Sequence, residues 1–225
     1  MISEDFAGRM LIVFCATMLA MLSALSLFVH LQKGSAVSSL AAVTMMASVI
    51  FLSLQVLMTV RRLPPKATAG GIEPRLTSVA ASSIMLVAML LTQAFDSEAV
   101  QVAALSLIFL GTASSVFCLY WLGRSFSIMA TARRLVTSGP YSIVRHPLYV
   151  CEARFVVGMV ISHLSIAMVL VGAVQFMLQY RRVVNEEAIL RQTFPEYGEY
   201  ARRVPMLVPW PLSAGAMASK REVGS

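Results

Sequence analysis

Two stretches in the second half of the chain concentrate the side chains that chemistry needs. The later one, from Gln179 to Pro205, reads QYRRVVNEEAILRQTFPEYGEYARRVP. In it Arg182 and Glu186 are four residues apart and share one helical face, continued by Leu190 and Phe194. Glu186 and Glu187 are adjacent and so point in different directions. A solvated ion pair accounts for Arg182 and Glu186; so does a ligand site in which the carboxylate takes hydroxyls or an ammonium and the Arg takes an acidic substrate group.

The earlier stretch, Gly123 to Tyr149, reads GRSFSIMATARRLVTSGPYSIVRHPLY, with four Arg, one His and two Tyr. Ser138, Gly139 and Pro140 predict a turn. Arg145, His146 and Pro147 end an extended piece, because a residue before Pro avoids the α region and Pro suits a first helical turn. Pro147 is thus expected to open a helix whose start, with His146, faces a ligand carboxylate or hydroxyls. The plain alternative for His146 is a helix-entry or headgroup-facing residue. Tyr141 and Tyr149 offer flat faces to a base or a cationic sulfonium, or else belong to an interfacial aromatic belt. Arg133 and Arg134 equally suit anionic lipid headgroups. Glu152 and Arg154 lie just beyond, where ionisable groups either carry function or snorkel to the headgroups.

The elements that must position these residues are membrane helices. Of 225 residues 58% are hydrophobic and 13% charged, and mean hydropathy is +0.76, far too apolar for an ordinary soluble domain. Charge is absent from Met10 to Gln32, Gly34 to Val60, Leu76 to Phe95, Ala99 to Gly123 and Phe155 to Tyr180. Each stretch can cross a hydrocarbon core, which takes about 20 helical residues. The first is too long for a signal-peptide h-region and reads as a retained helix. Leu148 to Tyr180, with Ser162 and His163 near its middle, is too long for one span and short for two, and predicts a helical hairpin. The expected fold is all-α: an integral membrane bundle of four conventional spans plus this C-terminal hairpin.

The formal charge of +7 does not point to nucleic acid, because the basic residues fall in loops between apolar runs. Arg9, the Arg61 to Arg75 loop, the Arg124 to Arg145 loop and everything after Tyr180 share one side, with Lys33 the exception. The positive-inside rule then places both termini and both long loops in the cytoplasm. Cys15, Cys118 and Cys151 lack CxxC spacing or a His cluster and read as small buried hydrophobes, with no metal site. No repeat is present. Residues 1–75 read as a two-helix membrane segment without a motif, 76–212 as a core whose site lies in 123–205, and 213–225 as a disordered tail.

Four pieces together resemble the isoprenylcysteine carboxyl methyltransferase family and its bacterial relatives, which share a C-terminal region with phospholipid methyltransferases. They are LVTSGPY (Leu135 to Tyr141), RHPLY (Arg145 to Tyr149), NEE (Asn185 to Glu187) and FPEYGEYARRVP (Phe194 to Pro205). The resemblance covers about a third of the chain; RHPxY alone also occurs in membrane sterol reductases. It implies S-adenosylmethionine in a cytoplasm-facing pocket lined by Leu135, Val136 and Tyr141, contacted by His146, Pro147, Leu148 and Tyr149, and held by Glu186. The family's substrate-side Arg falls on Arg182. Arg133 and Arg134 align with the upstream cofactor-lining stretch by position only.

The expected activity is therefore methyl transfer to a lipophilic, isoprenylcysteine-like carboxylate oriented by Arg182, at the inner membrane if the source is bacterial. The partners implied are the membrane and a lipophilic, lipid or prenylated acceptor. The alternative acceptor is a lipid amine, with Glu187 as its proton acceptor. Rivals of other classes are an NADPH-dependent membrane reductase and a structural or transport protein whose charged C-terminal helix lies on the membrane surface.

Overall fold

The computed structural model describes residues 4–31, 36–68, 71–126 and 131–209. Among these described residues seven α-helices follow in order: α1 (Glu4–Leu31), α2 (Ala36–Arg61), α3 (Glu73–Leu91), α4 (Glu98–Leu122), α5 (Pro147–Ser162), α6 (Ile166–Thr193) and α7 (Tyr197–Arg203). Three helical stretches are long and apolar enough to cross a membrane, Ser39–Arg61, Glu73–Leu91 and Glu98–Ser125, and α1 adds the shorter apolar run Val13–Leu25 among the described residues. The helical bundle agrees with expectation; the three stretches fall in α2, α3 and α4, and α1 occupies the place of the first expected span. The tail from 213 lies outside the described residues.

The hairpin forms where the sequence places it. Pro147 occupies the first turn of α5 after His146, where its missing N–H costs nothing. The helix ends at Ser162, and Ser165 caps α6 by accepting from the Met168 N–H at 3.2 Å. Its 16 residues span about 24 Å at 1.5 Å each, shorter than a full crossing. At that closed end Ser162 and Gln101 hold each other, the hydroxyl donating to Gln101 Oε1 at 2.9 Å and the Gln101 amide to the Ser162 carbonyl at 2.8 Å. Within the bundle, hydroxyls such as Thr44 and Ser78 donate to carbonyls four residues back, the satisfaction an apolar surrounding demands.

Helices α4 and α5 approach at backbone distance. A Cβ at Gly111 would lie 2.7 Å from the Phe155 nitrogen, and one at Gly158 would lie 2.8 Å from the Ala104 carbonyl. Small residues permit this close contact, a common way of packing membrane helices. Met85, Ala88, Ile108, Val156, Met159 and Met168 fill the core where α3, α4, α5 and α6 meet.

Helix α6 runs unbroken for 28 residues, so the second arm of the hairpin and the charged segment bearing Glu186 are one rod. A second apolar cluster of Ala132, Ile189, Phe194, Tyr197 and Tyr200 lies at that charged end. One small departure from all-α is a two-stranded antiparallel ladder of β1 (Ala67–Thr68) and β2 (Thr131–Ala132). Strands this short carry no alternation that a sequence pattern can show. The ladder fastens the segment after α2 to the Arg-rich loop, aided by Leu63 N–H to the Arg124 carbonyl at 3.0 Å and Arg124 Nε to the Arg61 carbonyl at 2.8 Å.

Candidate functional site

Arg145 and His146 precede α5 in an extended segment whose N–H groups donate to the carbonyls of Pro205 and Met206, at 2.8 and 3.1 Å. The chain beyond α7 is thereby strapped along the helix entry. The Arg145 side chain extends the strap, donating from Nη1 to the Ala201 and Val204 carbonyls at 2.8 and 2.6 Å. Its other edge meets Glu187 in a bidentate pair, Nε to Oε1 at 2.8 Å and Nη2 to Oε2 at 3.1 Å.

Glu187 is the hub of this end of the molecule. It also accepts from His146 Nε2 at 2.9 Å, the Tyr197 hydroxyl at 2.5 Å and Arg191 Nη2 at 3.2 Å. Burial opposes its charge, but the hydrogen bonds from His146, Arg145 and Tyr197 outweigh burial and hold the carboxyl well below its usual range. An ionised Glu187 only accepts, which assigns the His146 proton to Nε2. Nδ1 then faces Glu186, 3.7 Å from Oε2.

Glu186 itself accepts from the Tyr149 hydroxyl at 2.6 Å. Arg182, one turn earlier, lays its guanidinium over the Tyr149 ring, 5.1 Å from the centroid, and lies 4.0 Å from Glu152 Oε2. Glu152 also accepts from Gln179 Nε2 at 3.4 Å. A polar chain thus leads from Glu186 through Tyr149 and Arg182 to Glu152 and Gln179, along the facing sides of α5 and α6. Glu152 faces inward, whereas Arg154 is exposed.

Beside this chain opens a cleft of about 90 Å³. One wall is the Arg-rich loop, with Thr131, Arg133, Arg134, Leu135 and Val136; another is α6, with Glu186, Ile189 and Leu190. Tyr141 and His146 stand at the helix entry, and Tyr197 and Tyr200 of α7 close the far side. The Tyr200 hydroxyl donates to the Tyr141 carbonyl at 2.5 Å. Small-molecule sites generally exceed roughly 300 Å³, so a ligand of that size requires the walls to part. Cationic side chains on the loop oppose a carboxylate on α6, an arrangement suited to a zwitterion. The hydroxyls of Tyr141 and Thr131 are buried at this wall without a hydrogen-bond partner among the described residues. Burial above all raises the Tyr141 phenol, which therefore stays a donor.

The Gly139 turn shapes this wall. Gly139 has φ +61, and a Cβ there would fall 2.4 Å from the Trp121 ring, so only glycine fits between the tryptophan and the segment bearing Tyr141.

Residues 99–197 match the phospholipid methyltransferase family. Three curated relatives are similar over part of their length. The cobalt-zinc-cadmium resistance protein CzcN of Cupriavidus metallidurans is 42% identical over 44% of this chain and 44% of its own. The nickel-cobalt-cadmium resistance protein NccN of Alcaligenes xylosoxydans xylosoxydans is 36% identical over 56% and 60% respectively. Protein-S-isoprenylcysteine O-methyltransferase B of Arabidopsis thaliana is 34% identical over 47% and 57%. The chain thus spans about half the length of the curated relatives it matches. The family resemblance read from the motifs is borne out.

The family match ends at Tyr197, so α6 lies wholly within it and most of α7 outside. Of the residues picked out in the sequence, Arg133, Arg134, Leu135, Val136, Tyr141, His146 and Glu186 come together at the cleft. Pro147, Leu148 and Tyr149 form the turn behind His146, with Tyr149 reaching Glu186 from below. Arg182 is set deeper, among Tyr149 and Glu152. Sequence reasoning assigned no role to Arg145, Tyr197 or Tyr200. Their signals were present in RHPLY and FPEYGEY, but nothing local shows that α7 folds back onto Arg145. Burial raises Tyr197, reinforced by its bond to Glu187. Tyr200 is pushed up to about 12, chiefly by burial.

Proposed function

We propose that this chain is an integral membrane methyltransferase that uses S-adenosylmethionine to methylate the carboxylate of a lipophilic, isoprenylcysteine-like acceptor. The observation that carries the reading is the convergence of the Arg-rich loop, His146, Tyr141 and Glu186 on one cleft. All of these residues lie inside the region matching the phospholipid methyltransferase family. The similarity to a plant isoprenylcysteine methyltransferase supports the acceptor class. The metal-resistance names of the other two relatives describe a cellular role and not a reaction.

The residues suit such a cofactor. Glu186 is placed for its ammonium or ribose hydroxyls, Arg134 for its carboxylate, the hydroxyls of Tyr141 and Thr131 for its heteroatoms, and Leu135, Val136, Ile189 and Leu190 for its flat base. Bound there, the sulfonium supplies an electrophilic methyl group. The protein's part is to align the acceptor and exclude water. Arg182 receives the acceptor carboxylate, which is ionised at neutral pH and needs no base. Glu187, saturated by donors, holds Arg145 and His146 in place; we assign it positioning instead of the proton acceptance expected of it for an amine acceptor. The cleft faces the cytoplasm on the charge pattern of the loops.

A second reading, a lipid amine acceptor, is favoured by Glu152, which stands 4.0 Å from Arg182. With Glu186 nearby, two carboxylates face one guanidinium and favour a cationic or neutral acceptor. Calorimetry of the detergent-solubilised protein tests the cofactor: binding of S-adenosylhomocysteine without NADPH is the expected result. Binding of NADPH alone would replace the methyltransferase by a reductase.

A further inference from the structure

Cys118 and Cys151 have no part in the proposed chemistry. Their Sγ atoms nevertheless lie 3.7 Å apart, on facing helices, both as free thiols and with only 3% and 5% of each residue exposed. The apposition is held by backbone. Gly111 of α4 has no room for a Cβ against Phe155 and the Cys151 carbonyl, and Gly158 has none against Ala104 and Ile108, so the two helices are in contact on this face. A disulfide needs about 2.05 Å between sulfurs, a closure of about 1.7 Å from the contact observed. Two staggered side chains can cover that by rotating about their own χ1 bonds.

The surroundings add a reason for the pair to matter. Cys151 is two residues past Tyr149 on the turn that follows His146, and exposed Arg154 follows three residues later on the same side of α5. Cys118 is one turn before Trp121, whose ring packs on Gly139 in the segment bearing Tyr141. Each cysteine thus sits within one helical turn of a residue that shapes the site. A bond between them would join the helix carrying the site's entry to the helix that backs its turn.

We propose that Cys118 and Cys151 are a peroxide-reactive dithiol whose oxidation cross-links α4 to α5 and keeps the cleft narrow. The oxidant is hydrogen peroxide, small and neutral enough to reach buried sulfur. One thiol reduces it, giving a sulfenic acid and one water as the O–O bond breaks. The other sulfur displaces hydroxide from that sulfenic acid, forming the S–S bond and a second water. Two electrons leave the sulfur pair and both oxygens end as water. The gating part rests on the reading of the cleft as an S-adenosylmethionine site; the cross-link itself does not.

The test uses the full-length protein in detergent, treated with hydrogen peroxide, alkylated in denaturant and digested for mass spectrometry. A dithiothreitol-sensitive peptide pair joining Cys118 to Cys151 is expected. It should be absent in Cys118→Ser, where Cys151 should instead carry a dimedone adduct. Peroxide treatment that leaves both thiols alkylatable, or that joins only Cys15 between copies, overturns the site. In the same samples the affinity for S-adenosylhomocysteine should fall at least about fivefold on oxidation and return with dithiothreitol. A linked peptide with unchanged affinity overturns the gating. Failure of the reduced protein to bind S-adenosylhomocysteine counts against the cofactor reading, while the peptide result still decides the dithiol.

Discussion

His146 Nε2 donates to Glu187 Oε1 across 2.9 Å, and the same oxygen receives Arg145 Nε at 2.8 Å. Two consecutive residues before α5 are thereby pinned to one carboxylate on α6. The bond calls for a proton on Nε2 and leaves Nδ1 toward Glu186. Breaking one partner of a buried pair costs roughly 3 to 5 kcal/mol, since the remaining charge loses its counterion. Glu187→Gln should therefore lower the unfolding free energy, read from denaturant titration, by an amount in that range. Because its folded pKa is depressed, Glu187 contributes stability that is complete above the unfolded value of about 4.3 and lost as pH falls through the lower folded value. The wild type should lose stability across that acid window more steeply than Glu187→Gln; equal slopes would remove Glu187 from the hub.

The alkaline side has its own reporter. Tyr200 is held up to about 12, chiefly by burial, with Glu187 adding to it and Arg145 opposing. A raised folded pKa means that its stabilisation is complete below the unfolded value of about 10 and disappears as pH climbs toward the folded one. Tyr200→Phe loses the hydrogen bond to the Tyr141 carbonyl, at about 1 kcal/mol near neutral pH. It should also unfold with a shallower pH dependence between those two values. An unchanged alkaline profile would mean that Tyr200 ionises freely.

Glu186 belongs to the cofactor on the proposed reading. Its replacement by Gln keeps the shape, and the Tyr149 hydroxyl still has an oxygen to meet. S-adenosylhomocysteine binding should weaken by roughly 1 to 3 kcal/mol, the range for hydrogen bonds to a charged group. Calorimetry on folded, detergent-solubilised protein measures it, and an unaltered dissociation constant would take Glu186 out of the cofactor site.

How much of this was legible in the sequence depends on the distance over which each feature acts. The hairpin, its start at Pro147 and the shared face of Arg182 and Glu186 follow from local rules of proline, capping and helical period. Leu135 and Val136 were legible only as part of the LVTSGPY motif, and Arg133 and Arg134 only by their position before it. What stayed hidden is long-range. The ladder joining Ala67 to Ala132 rests on four residues with no pattern. The Arg145 bonds to the carbonyls of Ala201 and Val204 use acceptors that every residue has. The pairing of Arg182 with Glu152 instead of a simple surface bond also depends on how α5 and α6 pack, which spacing within either helix does not show.

The proposed topology rests on the distribution of basic residues. Ser97 begins α4 beside Asp96 and Glu98, at the same end as the Ser162 turn. Thr68 lies in β1 at the end bearing the cleft. In a background without the native thiols, Ser97→Cys should react with an impermeant maleimide added from outside, and Thr68→Cys should react only after permeabilisation. Labelling of Thr68→Cys from outside would put the cleft on the side without cofactor and end the methyltransferase reading.

Arg182 decides between the two acceptor classes. It lies one turn before Glu186, about 6 Å nearer the membrane along α6, stacked on Tyr149 and 4.0 Å from Glu152. If it takes an acceptor carboxylate, Arg182→Lys keeps the charge but loses the planar fork, and so is not conservative. Turnover of a carboxylate acceptor should then fall at least about tenfold, about 1.4 kcal/mol, with S-adenosylhomocysteine affinity nearly intact. Glu152→Gln, which removes a charge that competes for the guanidinium, should spare or improve that reaction. For an amine acceptor the order reverses: Glu152→Gln should be the damaging change, because the carboxylate that attracts the cation is gone, and Arg182→Lys the tolerated one. Equal loss of cofactor binding in Arg182→Lys would make Arg182 part of the cofactor's own surroundings. Full activity on a carboxylate acceptor with Lys or Ala at 182 would sink the clamp and leave Arg182 as a structural partner of Glu152 and Tyr149.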